Sequence, residues 1–268
     1  MNRAPIESRR ATAEAAAIAA GRVLVGFFQK PLRMRMKRGD SMVTEADHAA
    51  EAVVREYITG AFPGDSILAE EGGFHAGDRA WCWTLDGLDG TQNFIAGVPF
   101  FAVGIAILGD DAPVVAVIHD PLRGETYTAE KGRGAWRNGV AIQVKREPLG
   151  PSSLIAVRHR FLRREADRLY DLLPTKKFRS LGSMSMELAL VAAGALDGLV
   201  ANRPHLWDIA PGVLLVTEAG GSAEGFDGSP IFPLAAPPGE DPDRRYRIAA
   251  GNAAAVRELV ALLRDLPV

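Results

Sequence analysis

Cysteine is nearly absent: Cys82 is the only one in 268 residues. One thiol excludes an intrachain disulfide framework and a thiolate zinc cluster, and the usage suits a reducing cytoplasm. Long apolar runs are missing too. No stretch approaches about eighteen uninterrupted apolar residues, so no membrane-spanning helix is expected. The alanine-rich run at 15–20 lies between Glu14 and Gly21-Arg22 and is too short for the core of a secretion signal. Neither sign of charge dominates: 31 Lys and Arg stand against 33 Asp and Glu, a formal net charge of −2. That balance gives no reason to expect nucleic acid or an acidic membrane as partner. Among the histidines, His48, His75, His119 and His159 form no metal-ligand spacing with one another. The expectation is a soluble, cytoplasmic protein.

Hydrophobic residues make up 47% of the chain and charged residues 24%, ordinary values for a globular protein with a sizeable core. Apolar periodicity predicts helices over 11–28 and 45–58, the second opened by Thr44 and closed before Phe62-Pro63-Gly64. Between them Arg33, Arg35, Lys37 and Arg38 form a short basic stretch that reads as a solvated connector. Strands are predicted over 66–69, 81–85, 100–108 and 114–118, with turns at 131–134 and at Asn138-Gly139. Beyond a soft boundary near Gly150-Pro151 the pattern gives a strand at 154–159, helices at 163–173, 183–193 and 208–219, and a loop at 230–242. A strand at 247–250 and a helix at 253–264 complete it. The boundary divides the chain into an N-terminal lobe, 1–150, and a C-terminal lobe, 151–268. Helices and strands mix without a regular βαβ repeat, which favours a layered α+β sandwich over a Rossmann domain or a barrel.

The most informative stretch runs from Trp83 to Phe94. An apolar strand delivers Asp86 and Asp89, three positions apart, followed at once by Gly90, Thr91, Gln92 and Asn93. Hard divalent cations take oxygen ligands, and two such carboxylates are able to share or flank one. Gly90 and Thr91 offer backbone N–H groups at the start of the next helix, where a phosphate is favoured. By itself the stretch is equally an Asp-Gly turn capping a helix. Three other places add carboxylates: Glu70-Glu71 at a strand end, Thr44-Glu45-Ala46-Asp47, and Trp207-Asp208. Asp47 alone matches a capping box and Asp208 alone matches a helix cap.

In their order, these motifs resemble the inositol monophosphatase family of metal-dependent phosphatases. The resemblance rests on Val43-Thr44-Glu45-Ala46-Asp47, Glu70-Glu71, Asp86-Gly87-Leu88-Asp89-Gly90-Thr91, and Trp207-Asp208-Ile209-Ala210-Pro211-Gly212, which runs into Thr217-Glu218-Ala219-Gly220-Gly221. The segment 132–139 resembles the family's hairpin, and the whole match spans about 37–251. It implies an α/β/α/β/α sandwich with mixed sheets. It also implies hydrolysis of a small phosphate monoester by metal-activated water, with two or three Mg2+ ions, in a homodimer.

By the same resemblance, Glu70, Asp86 and the Leu88 carbonyl hold one ion, while Asp86, Asp89 and Asp208 hold a second. Glu70 and Thr91 position and activate the attacking water, Asp47 orients Thr91, and Gly90 and Thr91 hold the phosphate. Ser183 and Arg203 fall on the substrate side, although Ser183 is equally a helix cap and Arg203 equally a solvated loop residue. Two positions depart from the family pattern. Gly87 replaces a usual proline, implying a looser metal loop, and Ala201 replaces the glutamate that holds sugar hydroxyls in inositol-directed members. Arg203 and His205, nearby, suit an anionic or imidazole-bearing substrate. Histidinol-phosphate phosphatase and sugar bisphosphatase are therefore alternatives, as is a non-catalytic regulator that keeps the fold. The Asp-x-Asp-Gly-Thr motif of phosphatases with an aspartyl nucleophile is absent, because Gly87 and Leu88 separate the two aspartates.

Overall fold

A computed structural model of the chain describes residues 3–36, 42–158 and 176–264. Lys37, Arg38, His159 and the helix expected at 163–173 lie outside the described residues.

Two mixed sheets carry the architecture. The larger has eight strands in the order β10-β9-β8-β7-β6-β5-β3-β4. These are β3 (Asp65–Ala69), β4 (Gly73–His75), β5 (Asp78–Asp89), β6 (Ala102–Gly109), β7 (Ala112–Asp120), β8 (Glu125–Glu130), β9 (Gly134–Arg137) and β10 (Val140–Ala141). Only the β3/β5 pair is parallel. The smaller sheet has five strands in the order β12-β11-β13-β15-β14. They are β11 (Leu154–Arg158), β12 (Lys177–Arg179), β13 (Gly198–Asn202), β14 (Ser222–Glu224) and β15 (Arg247–Gly251). Here β11 runs parallel to both β12 and β13.

Helices fill the layers around and between the sheets. Helices α1 (Arg3–Phe27) and α2 (Glu45–Ala61) cover one face of the large sheet. Helices α4 (Met184–Ala192) and α5 (Leu206–Glu218) lie between the sheets, and α6 (Ala253–Leu263) covers the outer face of the small one. A single turn and a little more, α3 (Thr91–Ile95), follows β5 directly. The result is the expected α/β/α/β/α sandwich. The large sheet ends at Ala141 and the small one begins at Leu154. The helices between them, α4 and α5, both come from the second half of the chain.

The inter-helix contact of the outer layer uses very small side chains. Ala13, Ala16, Ala17, Ala20 and Leu24 of α1, at helical spacing, are buried with Ala46, Ala50, Val54 and Ile58 of α2. Small residues let the two helices approach closely. The buried stripe is thus set by alanines, and the helix begins earlier than residue 11. The described part of the basic stretch is more than a connector, since Met34–Met36 (β1), exposed along its length, pairs antiparallel with Met42–Thr44 (β2). At Asn138-Gly139 both residues have positive φ, 50° and 77°, the two-residue turn that the Asn-Gly pair predicts between β9 and β10.

Candidate metal centre

Strand β5 does not end where its apolar run ends; it continues through both aspartates to Asp89. Side chains alternate along a strand, so residues three apart normally face opposite sides. A bulge corrects this. Asp86 pairs with Gly104 of β6 and Asp89 with Ala102, so one extra residue sits between them and both carboxylates face the same side. Gly87 lies in this bulge against α2. A Cβ there would fall 2.8 Å from the Glu51 backbone nitrogen. The glycine allows close approach of two backbones, a reason for its presence other than a looser loop.

The chain delivers three carboxylates to one point from three elements. Glu70 stands in the turn after β3, Asp86 in the β5 bulge, and Asp208 in the first turn of α5. One oxygen from each lies within 4.8 Å of the other two. Asp86 is buried, and its carboxyl is pushed well above the ordinary range, first by burial and then by the charges of Glu70, Asp89 and Asp208. In Asp208, burial also pushes up. The hydrogen bond from His205 and the charges of Arg158 and His205 outweigh it, and the carboxyl lies below its ordinary value. Oxygen ligands in excess of local positive charge, one of them forced toward protonation, fit a hard divalent cation.

Beside this group, Asp47 and Thr91 form a tight pair. Asp47 Oδ2 accepts hydrogen bonds from the Thr44 backbone N–H at 2.8 Å and the Thr44 hydroxyl at 2.6 Å, completing the capping box of α2. The other oxygen, Oδ1, lies 2.9 Å from the Thr91 hydroxyl. That hydroxyl is also 3.1 Å from the Leu88 carbonyl, so its one proton is shared between two acceptors. The cap and the contact with Thr91 use opposite oxygens of one carboxylate, so the local and the functional reading of Asp47 are compatible. Gly90, at φ 102°, turns the chain from β5 into α3 in a conformation that favours glycine. Underneath, Phe94 of α3 packs edge-on to Phe101 at 4.8 Å, and both contact Phe28.

Asp89 lies outside the group of three. Its Oδ2 accepts from the Ser183 hydroxyl and the Ser185 backbone N–H, each at 2.6 Å. Ser183 is at the same time the N-cap of α4, accepting from Met186 N–H at 3.4 Å. Asp89 thereby ties β5 to the start of α4. Its Oδ1 faces the Arg158 guanidinium at 3.5 Å. Arg203 is exposed with φ 70°, and its carbonyl accepts from Arg245 at 2.9 Å. Burial lowers the Arg245 pKa, while the charges of Asp208 and Glu70 act on it in the opposite sense. His205 stacks on Trp207 at 4.2 Å with its ring 3.7 Å from Asp208.

Two residues near the centre, the half-buried Arg158 and the buried Glu187, have no counterpart in the sequence reading. Arg158, at the end of β11, is opposed by burial but held charged above its ordinary value by Asp89, Asp208, Glu187 and Asp86. Glu187 of α4 accepts from Leu181 N–H at 2.6 Å, while its Oε2 is buried without a hydrogen bond. A single glutamate inside the apolar run Met184–Ala192 was the available signal for the second. A lone arginine at a strand end carries none.

A family model described as the inositol monophosphatase family matches residues 6–265. The chain belongs to the inositol monophosphatase family. Its relatives include Nus factor SuhB of Salmonella typhimurium, 35% identical over 259 residues and 93% of each chain. A fructose-1,6-bisphosphatase/inositol-1-monophosphatase of Thermotoga maritima is 37% identical over 193 residues, 70% of this chain and 72% of that one. Among solved structures, the extragenic suppressor protein suhB of Bartonella henselae superposes with a TM-score of 0.88 at 30% identity, covering 96% of this chain and 99% of that one. The fold is that of the inositol monophosphatase family. No helix among the described residues is long and apolar enough to cross a membrane.

Proposed function

We propose that the protein hydrolyses a small phosphate monoester, with Glu70, Asp86 and Asp208 holding Mg2+ and the Thr91–Asp47 pair orienting the attacking water. The observation that carries this reading is the convergence of three carboxylates within 4.8 Å, next to a hydroxyl fixed by a buried aspartate. A bound divalent cation supplies charge neutralisation and Lewis-acid activation of the phosphoryl group. The chain's own part is positional. With its proton donated to Asp47 or to the Leu88 carbonyl, the Thr91 oxygen is free to accept a hydrogen bond from water. Glu70 sits at the opening of the centre to draw the water's proton, and the Gly90 and Thr91 amides at the start of α3 face the phosphate. Water attacks phosphorus and gives its proton to Glu70, the ester P–O bond breaks, and the leaving alkoxide takes a proton from solvent.

On the substrate side, the Ala201 side chain is buried and brings no polar atom, while Arg245 lies within reach of the charges of Asp208 and Glu70 and donates to the Arg203 carbonyl. This pairing favours a substrate with a second anionic group over a neutral polyol phosphate. The His205 ring, 3.7 Å from Asp208 and stacked on Trp207, is poorly placed to recognise an imidazole. Ser183, spent on Asp89 and α4, serves the scaffold before the substrate. A homodimer, checked by sedimentation, belongs to the same reading. One finding favours a second reading, the name Nus factor borne by a relative aligned over 93% of this chain: a protein that keeps the fold and the centre and works by binding.

The deciding experiment is phosphate release from inositol 1-phosphate, histidinol phosphate, fructose 1,6-bisphosphate, glycerol 2-phosphate and adenosine 3′,5′-bisphosphate, with magnesium and with EDTA. Magnesium-dependent turnover led by fructose 1,6-bisphosphate is the expected result. Folded, metal-bound protein that turns over none of them would establish the binding reading.

A further inference from the structure

Arg158 places a permanent positive charge inside the acidic centre. It ends β11 and lies in register beside Ala201 of the parallel strand β13. A parallel pair in register sends both side chains to one face, and Ala201, buried and short, leaves that face to the arginine. The Arg158 side chain is only 17% exposed and reaches Asp89 Oδ1 at 3.5 Å. The other Asp89 oxygen is already engaged by the Ser183 hydroxyl and the Ser185 N–H. Both Asp89 oxygens thus face donors of this chain, whereas Glu70, Asp86 and Asp208 each bring an oxygen within 4.8 Å of the other two.

We propose that Arg158 is a built-in counter-cation on the Asp89 side of the centre, so that a first divalent ion binds at Glu70, Asp86 and Asp208 and a second binds at Asp89 only by displacing the guanidinium. The proposal rests on the metal-dependent reading above. Charge supports the order of events. One divalent ion together with Arg158 leaves the four carboxylates Glu70, Asp86, Asp89 and Asp208 one negative charge in excess, and a second ion would reverse that sign while standing against the guanidinium that faces Asp89. A like charge a few ångström away in a partly buried site weakens binding by about tenfold or more. Arg158 is thus a positioning residue that sets how many metals the centre holds at a given concentration.

The test is Mn2+ binding by the full chain, followed by equilibrium dialysis with free Mn2+ read by electron paramagnetic resonance, which needs no turnover. Wild type is expected to take up one ion tightly and a second at least about tenfold more weakly. Arg158→Gln is expected to leave the first affinity within a few-fold and to tighten the second by about tenfold or more. Arg158→Met, which keeps a buried aliphatic stem, makes the same prediction should the glutamine variant not fold. Arg158→Lys keeps the charge and is expected to follow wild type. Two ions bound with equal affinity by wild type and by the Gln and Met variants would overturn the role of Arg158 while leaving the metal centre standing. No Mn2+ bound by any of these proteins would remove the metal reading and the proposal with it.

Discussion

Single residues at the centre work against their own ionisation, and the cost shows in stability. Burial, partly offset by Arg158 and the Leu181 amide, pushes the Glu187 carboxyl from 4.5 up to about 7. A carboxyl raised by folding contributes its full stability below the unfolded value, about pH 4.5, and loses it as pH rises through about 7. The shift corresponds to about 3 kcal/mol between those limits. Glu187→Gln is therefore expected to flatten the dependence of urea midpoint on pH between about 4.5 and 7; an unchanged slope would show that Glu187 titrates as it does in the unfolded chain. The same scale shows what sequence made legible. Asp86, Asp89, Glu70 and Asp208 were readable because motif spacing and order carry them, and Asp47 because its capping box is local. Arg158 reaches Asp89 from 69 residues away, and no local pattern announces a contact made only by the stacking of two sheets.

Elements turn those residues toward one another. The bulge in β5 is the decisive device, since without its extra residue Asp86 and Asp89 would face opposite sides of the sheet. Sequence reading placed the strand at 81–85 because its apolar run stops there. Hydrogen bonding to β6 carries it four residues further. Strands with mixed polarity such as β8, Glu125–Glu130, were missed for the same reason: their pairing is set by neighbours, with only alternate positions buried. At this scale Asp89 has a second task, because its Oδ2 holds the start of α4. Asp89→Asn keeps an acceptor oxygen there and is expected to fold near wild-type stability while turnover falls by orders of magnitude. Asp89→Ala loses that acceptor and is expected to cost a further ~1–2 kcal/mol. Thermal denaturation of the two variants side by side checks this, and equal stability would argue against the tie to α4.

The whole molecule arranges five layers so that a strand-end turn, a bulge and a helix start meet at one place. The α+β class and the layering were legible from mixed elements without a βαβ repeat and from the family resemblance. The order of strands was not, because hydrogen-bonded neighbours such as β13 and β15 are distant in sequence. A centre with surplus carboxylates stabilises the folded chain when a cation occupies it. At a hundredfold excess over its dissociation constant, Mg2+ is expected to add about 3 kcal/mol, or on the order of 5–10 °C in Tm, an increment EDTA removes. No shift with magnesium would contradict a metal site assembled by folding.

Burial and three neighbouring carboxylates push Asp86 toward protonation, and a divalent cation would offset that by stabilising its ionised form for metal-dependent hydrolysis. The most direct test of this central claim is phosphate release by Asp86→Asn across a magnesium titration, on the best substrate of the panel and beside wild type. Saturable, magnesium-dependent release is expected of wild type and a loss of orders of magnitude of the variant, although the variant is relieved of a crowded, buried carboxyl and is expected to fold at least as stably without metal. Undiminished release by folded Asp86→Asn, with the same magnesium dependence, would contradict the claim.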